Sequence, residues 1–351
     1  MSNFVQNRIQ DISATISVLL NIILIFLILT KSPKKLGSYK YLMLYISLFE
    51  ILYSILDVVV SPVIISKGSA CLVISYIKNS MLSQTINIVL HTSYCGSFGT
   101  SMGIFALHFI YRYLTATGSK YISTFESWKM ICWMLIPITY GIIWGLIGYT
   151  FIGPNAYTND FMKNDIEYVF GWDIRDTIYI GPHFYKTDSL NFTWIDKNAF
   201  IAAGGMCIIL LSSIITILYF GVKCYKSINN MVKDRVSTSS SNFKNVQTQL
   251  FYALVIQTII PVLFLHIPVS VIFICTFLEL NIGLFGGIVT ISIALFPAID
   301  PLPTMFIIKI YRDAIIGYVR SFLHYTKIFP NKNCAIQSIS NHPKDISTPN
   351  S

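Results

Sequence analysis

Seven stretches of this chain are apolar, nearly free of charge and long enough to cross a lipid bilayer as helices. One crossing takes about 20 predominantly apolar residues. Residues 12–30 carry no charge, and 41–66 hold only Glu50 and Asp57. Residues 79–111, 130–159, 198–222 and 245–278 contain no Asp, Glu, Lys or Arg, and 280–308 contain Asp300 alone. The expected helices lie near 12–30, 42–66, 83–111, 130–152, 199–222, 249–277 and 283–308. Composition agrees: 12% of the 351 residues are charged, about half the share in a soluble protein. The expected fold is therefore an all-α membrane protein, a seven-transmembrane helix bundle over residues 1–325. The first run reads as a signal anchor rather than a cleaved leader.

The net charge of +9 sits between the spans, so it reads as topology and not as a nucleic-acid surface. Segments after the first, third, fifth and seventh spans hold 18 of the 25 Lys and Arg, and the remaining segments hold 7. Basic loops stay on the cytoplasmic side. The N-terminus is thus expected outside and the C-terminus inside. The sequon Asn191-Phe192-Thr193 falls in an expected outer loop, as a glycosylation site should. After the seventh span, apolar residues recur at helical spacing over 309–325 between Lys309, Arg312 and Arg320. That pattern predicts an amphipathic helix on the inner leaflet, in contact with membrane lipid. Residues 326–351 are polar and read as a disordered cytoplasmic tail.

Ionisable groups inside spans are expensive and point to function. Glu50 and Asp57 are seven residues apart and share a helix face. Glu50 and Asp300 lie at matched depth, which suggests a buried polar layer sharing a proton or a cation. For Asp57, a plain hydrogen-bonded carboxyl is an equal reading. Arg112 turns either inward toward the sixth helix or outward to headgroups, and spacing alone favours snorkelling. Pro261 and Pro268 allow a bend in the sixth helix. His91, Tyr94, Cys95 and Phe98 follow an i, i+3, i+4, i+7 pattern, which is helix packing more often than a ligand wall. Seven cysteines show no metal spacing, and no hydrolase or phosphate-binding motif occurs. No metal, cofactor or catalytic residue is expected, and the chain reads as a non-enzyme. A seven-helix ligand-gated channel and a transporter are the alternatives. The charge split opposes the channel, which would have its N-terminus inside.

Four stretches carry a resemblance: LGSYKYLMLYISLFEILYSILD, HFIYRYL, QLFYALVIQTIIPVLFLHIPV and FPAIDPLPTMFIIKIYRDAI. Together they resemble the nematode seven-transmembrane chemoreceptors of the str group (serpentine receptor class r), which includes the diacetyl odorant receptor. The resemblance implies a G-protein-coupled olfactory receptor in the plasma membrane of sensory cilia. It implies a small odorant ligand, a heterotrimeric G protein at the cytoplasmic face and an arrestin at the tail. Arg112 resembles the arginine that ends the third helix of rhodopsin-like receptors, with Tyr111 where an acid usually stands. Asp300-Pro301 resembles the Asn-Pro pair of the seventh helix, with Thr304 in place of its tyrosine. The expected ligand walls, placed by depth and polarity, are His91, Tyr94, Phe98, Thr276, Asn281 and Phe285. Loop 4, the segment 153–198 between the fourth and fifth spans, holds no cysteine, so the disulfide usual between the third helix and that loop is absent.

Overall fold

The computed structural model describes residues 3–33, 36–126, 128–187, 192–233, 241–280 and 285–328. The chain opens with α1 (Asn3–Lys31) and α2 (Tyr39–Val60), then forms a hairpin of β1 (Val63–Lys67) and β2 (Ala70–Tyr76). Next come α3 (Gln84–Thr117), α4 (Lys129–Ile152) and α5 (Ala156–Phe170), followed by β3 (Thr177–Ile180), β4 (Tyr185–Thr187) and β5 (Thr193–Ile195). The long α6 (Lys197–Lys233) precedes α7 (Ser241–Pro261), a π turn (Val262–His266) and α8 (Ile267–Phe277). α9 (Phe285–Ile299), α10 (Pro301–Ile307) and α11 (Lys309–Ile328) finish the described chain. Among the described residues, six helical segments are long and apolar enough to span a bilayer. α3 is 34 residues long but rich in Ser, Thr, Gly and His. It packs against α2, α4, α6 and α7, so protein rather than lipid surrounds it and less apolarity suffices.

Several expected boundaries need correction. The helix expected to reach residue 66 stops at Val60, because Ser61 takes a left-handed conformation (φ 43°) and Pro62 follows. Proline has no N–H to continue the ladder. Val63 to Ser66 belong instead to β1. α1 begins nine residues before the expected start, at Asn3 rather than residue 12. α3 runs six residues past 111 to Thr117, where Gly118 (φ 62°) caps it in the left-handed region that glycine tolerates. The fifth expected span runs to Lys233 and the sixth starts at Ser241. The seventh is broken at Asp300 and again at Ile308. The amphipathic helix extends to Ile328, three residues into the expected tail. The rest of that tail, and Asn191, lie outside the described residues.

Loop 4 is a structured cap. β2 pairs antiparallel with both β1 and β3, in register Ile65↔Leu72 and Val73↔Ile180. Side chains alternate across such a sheet. Val63, Ile65, Leu72 and Ile74 pack with Met162 and Ile166 of α5. Ile64, Cys71, Val73 and Ile180 face the bundle. Both faces are covered, so Val63–Ile65 and Ala70–Ile74 are apolar runs without a polar face. Gly181 is required where the chain crosses β2, since a Cβ there would lie 1.9 Å from the Cys71 carbonyl oxygen. Lys67–Asp165 and Lys186–Asp196 ion pairs fasten the outer surface.

His183 fixes α5 to this cap. Its Nδ1 lies 3.2 Å from the Thr158 hydroxyl, and its ring sits 4.6 Å from Phe161 and 5.2 Å from Tyr157. Burial pushes its pKa down to about 4, Lys186 adds to that shift, and Asp196 opposes it. The unfolded imidazole titrates near 6.5. Between pH 6.5 and about 4 the unfolded chain therefore binds more protons. The contribution is full above pH 6.5 and is lost as pH falls through that window. Amide protection factors across 155–187, corrected for the intrinsic rate at each pH, should fall with acid over that range, and His183→Gln should flatten the fall. Unchanged acid sensitivity in the variant would exclude His183 as the cause.

Candidate functional site

Beneath the three-stranded sheet lies a cavity of about 90 Å³. Each wall comes from a different element. β1, β2 and the β3 end supply Ile64, Cys71, Val73 and Ile180; α2 and α3 supply Tyr53, Tyr94, Cys95 and Phe98; α4 and α6 supply Trp144 and Met206. Leu265, Val269, Ile272, Phe273, Thr290 and Ile293 close the remaining side. Among the described residues, no Asp, Glu, Lys, Arg or His lines it. Of the expected wall residues, Tyr94 and Phe98 line the cavity. His91 sits beside it with Nδ1 2.8 Å from the Ser75 hydroxyl, and Thr276 pairs with Ser66 at 3.2 Å. Phe285 packs on the surrounding apolar cluster. Asn281 lies outside the described residues. Sequence spacing missed the walls from β1, β2 and β3, because those strands were read as helix end and loop. The described cysteines, Cys71 and Cys95 included, are free thiols.

A polar cluster lies at the cavity floor. The Tyr53 and Tyr94 side chains and the Asp57 carboxyl lie close together, and Gln10 stands beside Asp57. Gln10 Nε2 in turn donates to Pro62 O at 3.3 Å. Asp57 thus serves the cavity floor and stands apart from Glu50. Tyr53 also stacks on Tyr94 (5.4 Å, 8° between planes) and tilts against Phe296 at 5.8 Å.

One layer below, Glu50 (1% exposed) and Asp300 (0%) face each other within hydrogen-bonding reach. Gln257 Nε2 donates to the Asp300 backbone oxygen at 3.1 Å and to its Oδ2 at 3.3 Å. Two carboxyl oxygens bearing only lone pairs repel, so a shared proton or a cation holds such a pair. Among the described residues no group of three or more metal-binding side chains forms. The prolines explain the rest of this layer. Pro301 has no N–H, which frees the Pro297 carbonyl four residues earlier. Ser17 and Asn21 of α1 donate to that oxygen at 2.9 and 3.3 Å. Pro268 likewise frees the Phe264 carbonyl, which accepts from the Ser292 hydroxyl at 2.7 Å. Between Pro261 and Pro268 the helix widens into the π turn.

Arg112 corrects the snorkelling expectation. It is 1% exposed, its guanidinium lies 3.5 Å above the Tyr39 ring, and Nη1 donates to Gln247 Oε1 at 2.8 Å. The arginine points into the bundle toward α7, because a planar guanidinium stacks well on an aromatic face.

Comparison with known sequences decides what kind of protein carries this arrangement. The profile described as "Serpentine type 7TM GPCR chemoreceptor Str" matches residues 6–316. The chain belongs to the Str family of serpentine chemoreceptors. It is similar to "G-protein coupled receptor str-217" of Caenorhabditis elegans, 34% identical over 320 residues that cover 90% of both chains. It is also similar to "Serpentine receptor class r-10" of the same organism, 26% identical over 88% of this chain and 89% of that one. A third relative, "G-protein coupled receptor str-33", is 23% identical over 88% and 91%. These relatives are receptors, not enzymes. Family membership and the spanning helices make this Str chemoreceptor an integral membrane protein.

Proposed function

We propose that this Str chemoreceptor takes a small uncharged organic molecule into the cavity and activates a heterotrimeric G protein at the opposite end of the bundle. One observation carries the reading. The cavity wall Tyr94 stacks on Tyr53, Tyr53 meets Phe296, and the Asp300 N–H bonds to the Phe296 carbonyl. An occupant that displaces Tyr94 therefore bears on the Glu50–Asp300 pair. The ligand favours one of two packings, and the π turn between Pro261 and Pro268 gives α7 and α8 the place to bend. Arg112 and the basic segment from Lys223 to Lys244 then meet the G protein, with α11 along the inner leaflet. The Lys and Arg split supports seven spans with the capped end outside, Asn191 glycosylated there and the N-terminus with it. The names of the relatives support G-protein coupling, and residues 329–351 offer an arrestin its place. The plasma membrane of sensory cilia is the proposed site of action.

Calcium imaging with an odorant panel, in cells expressing the full chain, tests this. The native chain should answer at least one small neutral volatile. Ile293→Trp, which fills the cavity, should reach the surface and answer none. Equal responses from both chains would move the ligand site elsewhere.

A further inference from the structure

We infer that His266 is the polar anchor of the cavity, reached past Phe98, and that the ligand is therefore an uncharged molecule of about six heavy atoms or fewer with one hydrogen-bonding group. This rests on the reading that the cavity is the ligand site, and adds the residue and the ligand chemistry.

His266 is 8% exposed, and neither Nδ1 nor Nε2 has a hydrogen-bond partner. A neutral imidazole carries one donor and one acceptor. Leaving both unmet in a buried site is costly, and leucine would pack there without that cost. The residue also ends the π turn, a distortion that often marks functional sites in helices. Its neighbours Leu265 and Val269 line the cavity, and so does Phe98. Phe98 stands edge-on to the His266 ring at 4.4 Å, with Trp144 on its other side at 5.0 Å. One side chain therefore separates the unmet imidazole from the cavity. A turn of the Phe98 ring opens the way.

Other polar groups around the cavity face one another. Tyr53 and Tyr94 lie together beside Asp57, and the Cys71 thiol faces Thr276. Thr290 Oγ1 accepts from Ile64 N and donates to Gly286 O. The Gly181 N–H bonds to Ile152 O, and the Pro182 carbonyl accepts from Cys71 N. Among the described residues, His266 offers an unmet donor and an unmet acceptor in one ring beside the cavity. No charged side chain lines the walls, so an ionic ligand would enter without a counter-charge. Size sets the other limit, since a cavity of about 150 Å³ holds benzene and this one is about 90 Å³.

The test uses the full-length chain in detergent and three probes of equal size: 1-pentanol, 2-pentanone and n-hexane. Binding is read as the ligand-dependent shift in melting temperature. The native chain should bind at least one oxygenated probe at a tenfold or lower concentration than n-hexane. His266→Leu should bind all three alike, at the n-hexane level. His266→Gln, which keeps a donor and an acceptor, should retain part of the preference and guards against a folding defect in the leucine variant. A preference that survives His266→Leu overturns the anchor, and so does a native chain that binds no oxygenated probe. Ile293→Trp separates the two levels. If it binds all three probes like the native chain, the cavity reading fails with the anchor; if it binds none while His266→Leu keeps the preference, only the anchor fails.

Discussion

Gly96→Leu should abolish the folded bundle. A Cβ at Gly96 would lie 2.5 Å from the Gly141 carbonyl oxygen, and one at Gly141 would lie 2.0 Å from Thr100 Oγ1. At Gly103 the nearest atom would be the Pro137 Cα, 3.0 Å away. These contacts are largely backbone, so no flexible side-chain end can move aside. Small residues let the two helices touch where no hydrophobic force drives them together in lipid. Overpacking costs up to about 3 kcal/mol even where side chains can shift. That is a large part of a total stability of about 5–15 kcal/mol. The variant should lose its monodisperse elution in detergent and its surface expression. Gly204→Ala is the control, because a Cβ there meets nothing within 4 Å. It should be neutral, or more stable by about 0.5–1 kcal/mol. A Gly96→Leu chain that melts with the native one would disprove the α3–α4 contact.

Glu50→Gln should keep the fold and displace the dose–response curve at least tenfold. Glutamine has nearly the shape of the acid. It still faces Asn21, and it offers an N–H to Asp300. It cannot release or take up the shared proton or cation. One packing is then favoured whether or not ligand is present. A tenfold displacement corresponds to about 1.4 kcal/mol. A variant that matches the native response at every dose would remove the carboxyl pair from the switch.

The spans were legible because lipid demands long apolar runs, and the run lengths needed no tertiary information. The depth match of Glu50 and Asp300 was legible too, since helical rise is constant. Val63 to Ser66 were misread for a physical reason. A strand buried on both faces has the same apolar run as a helix end, and only the Ser61-Pro62 break marks the change. Arg112 was misread because spacing gives depth, not direction, and Tyr39 and Gln247 are 73 and 135 residues away in sequence. The Pro297 carbonyl taken by Ser17 and Asn21 was hidden for the same reason, as its partners lie about 280 residues away. Of the expected wall residues, placed by depth and polarity, Tyr94 and Phe98 line the cavity. The β1 wall was read as the end of the second helix, and the β2 wall carried no helical signal to find.

The central claim is that an occupant of the cavity drives exchange on a G protein. Guanine-nucleotide exchange in membranes holding the full chain and a reconstituted heterotrimer measures that step. The account predicts that a small neutral volatile accelerates exchange on the native chain and leaves Ile293→Trp at its basal rate. Equal acceleration on both chains, or a ligand-evoked ion current with no exchange, would contradict it.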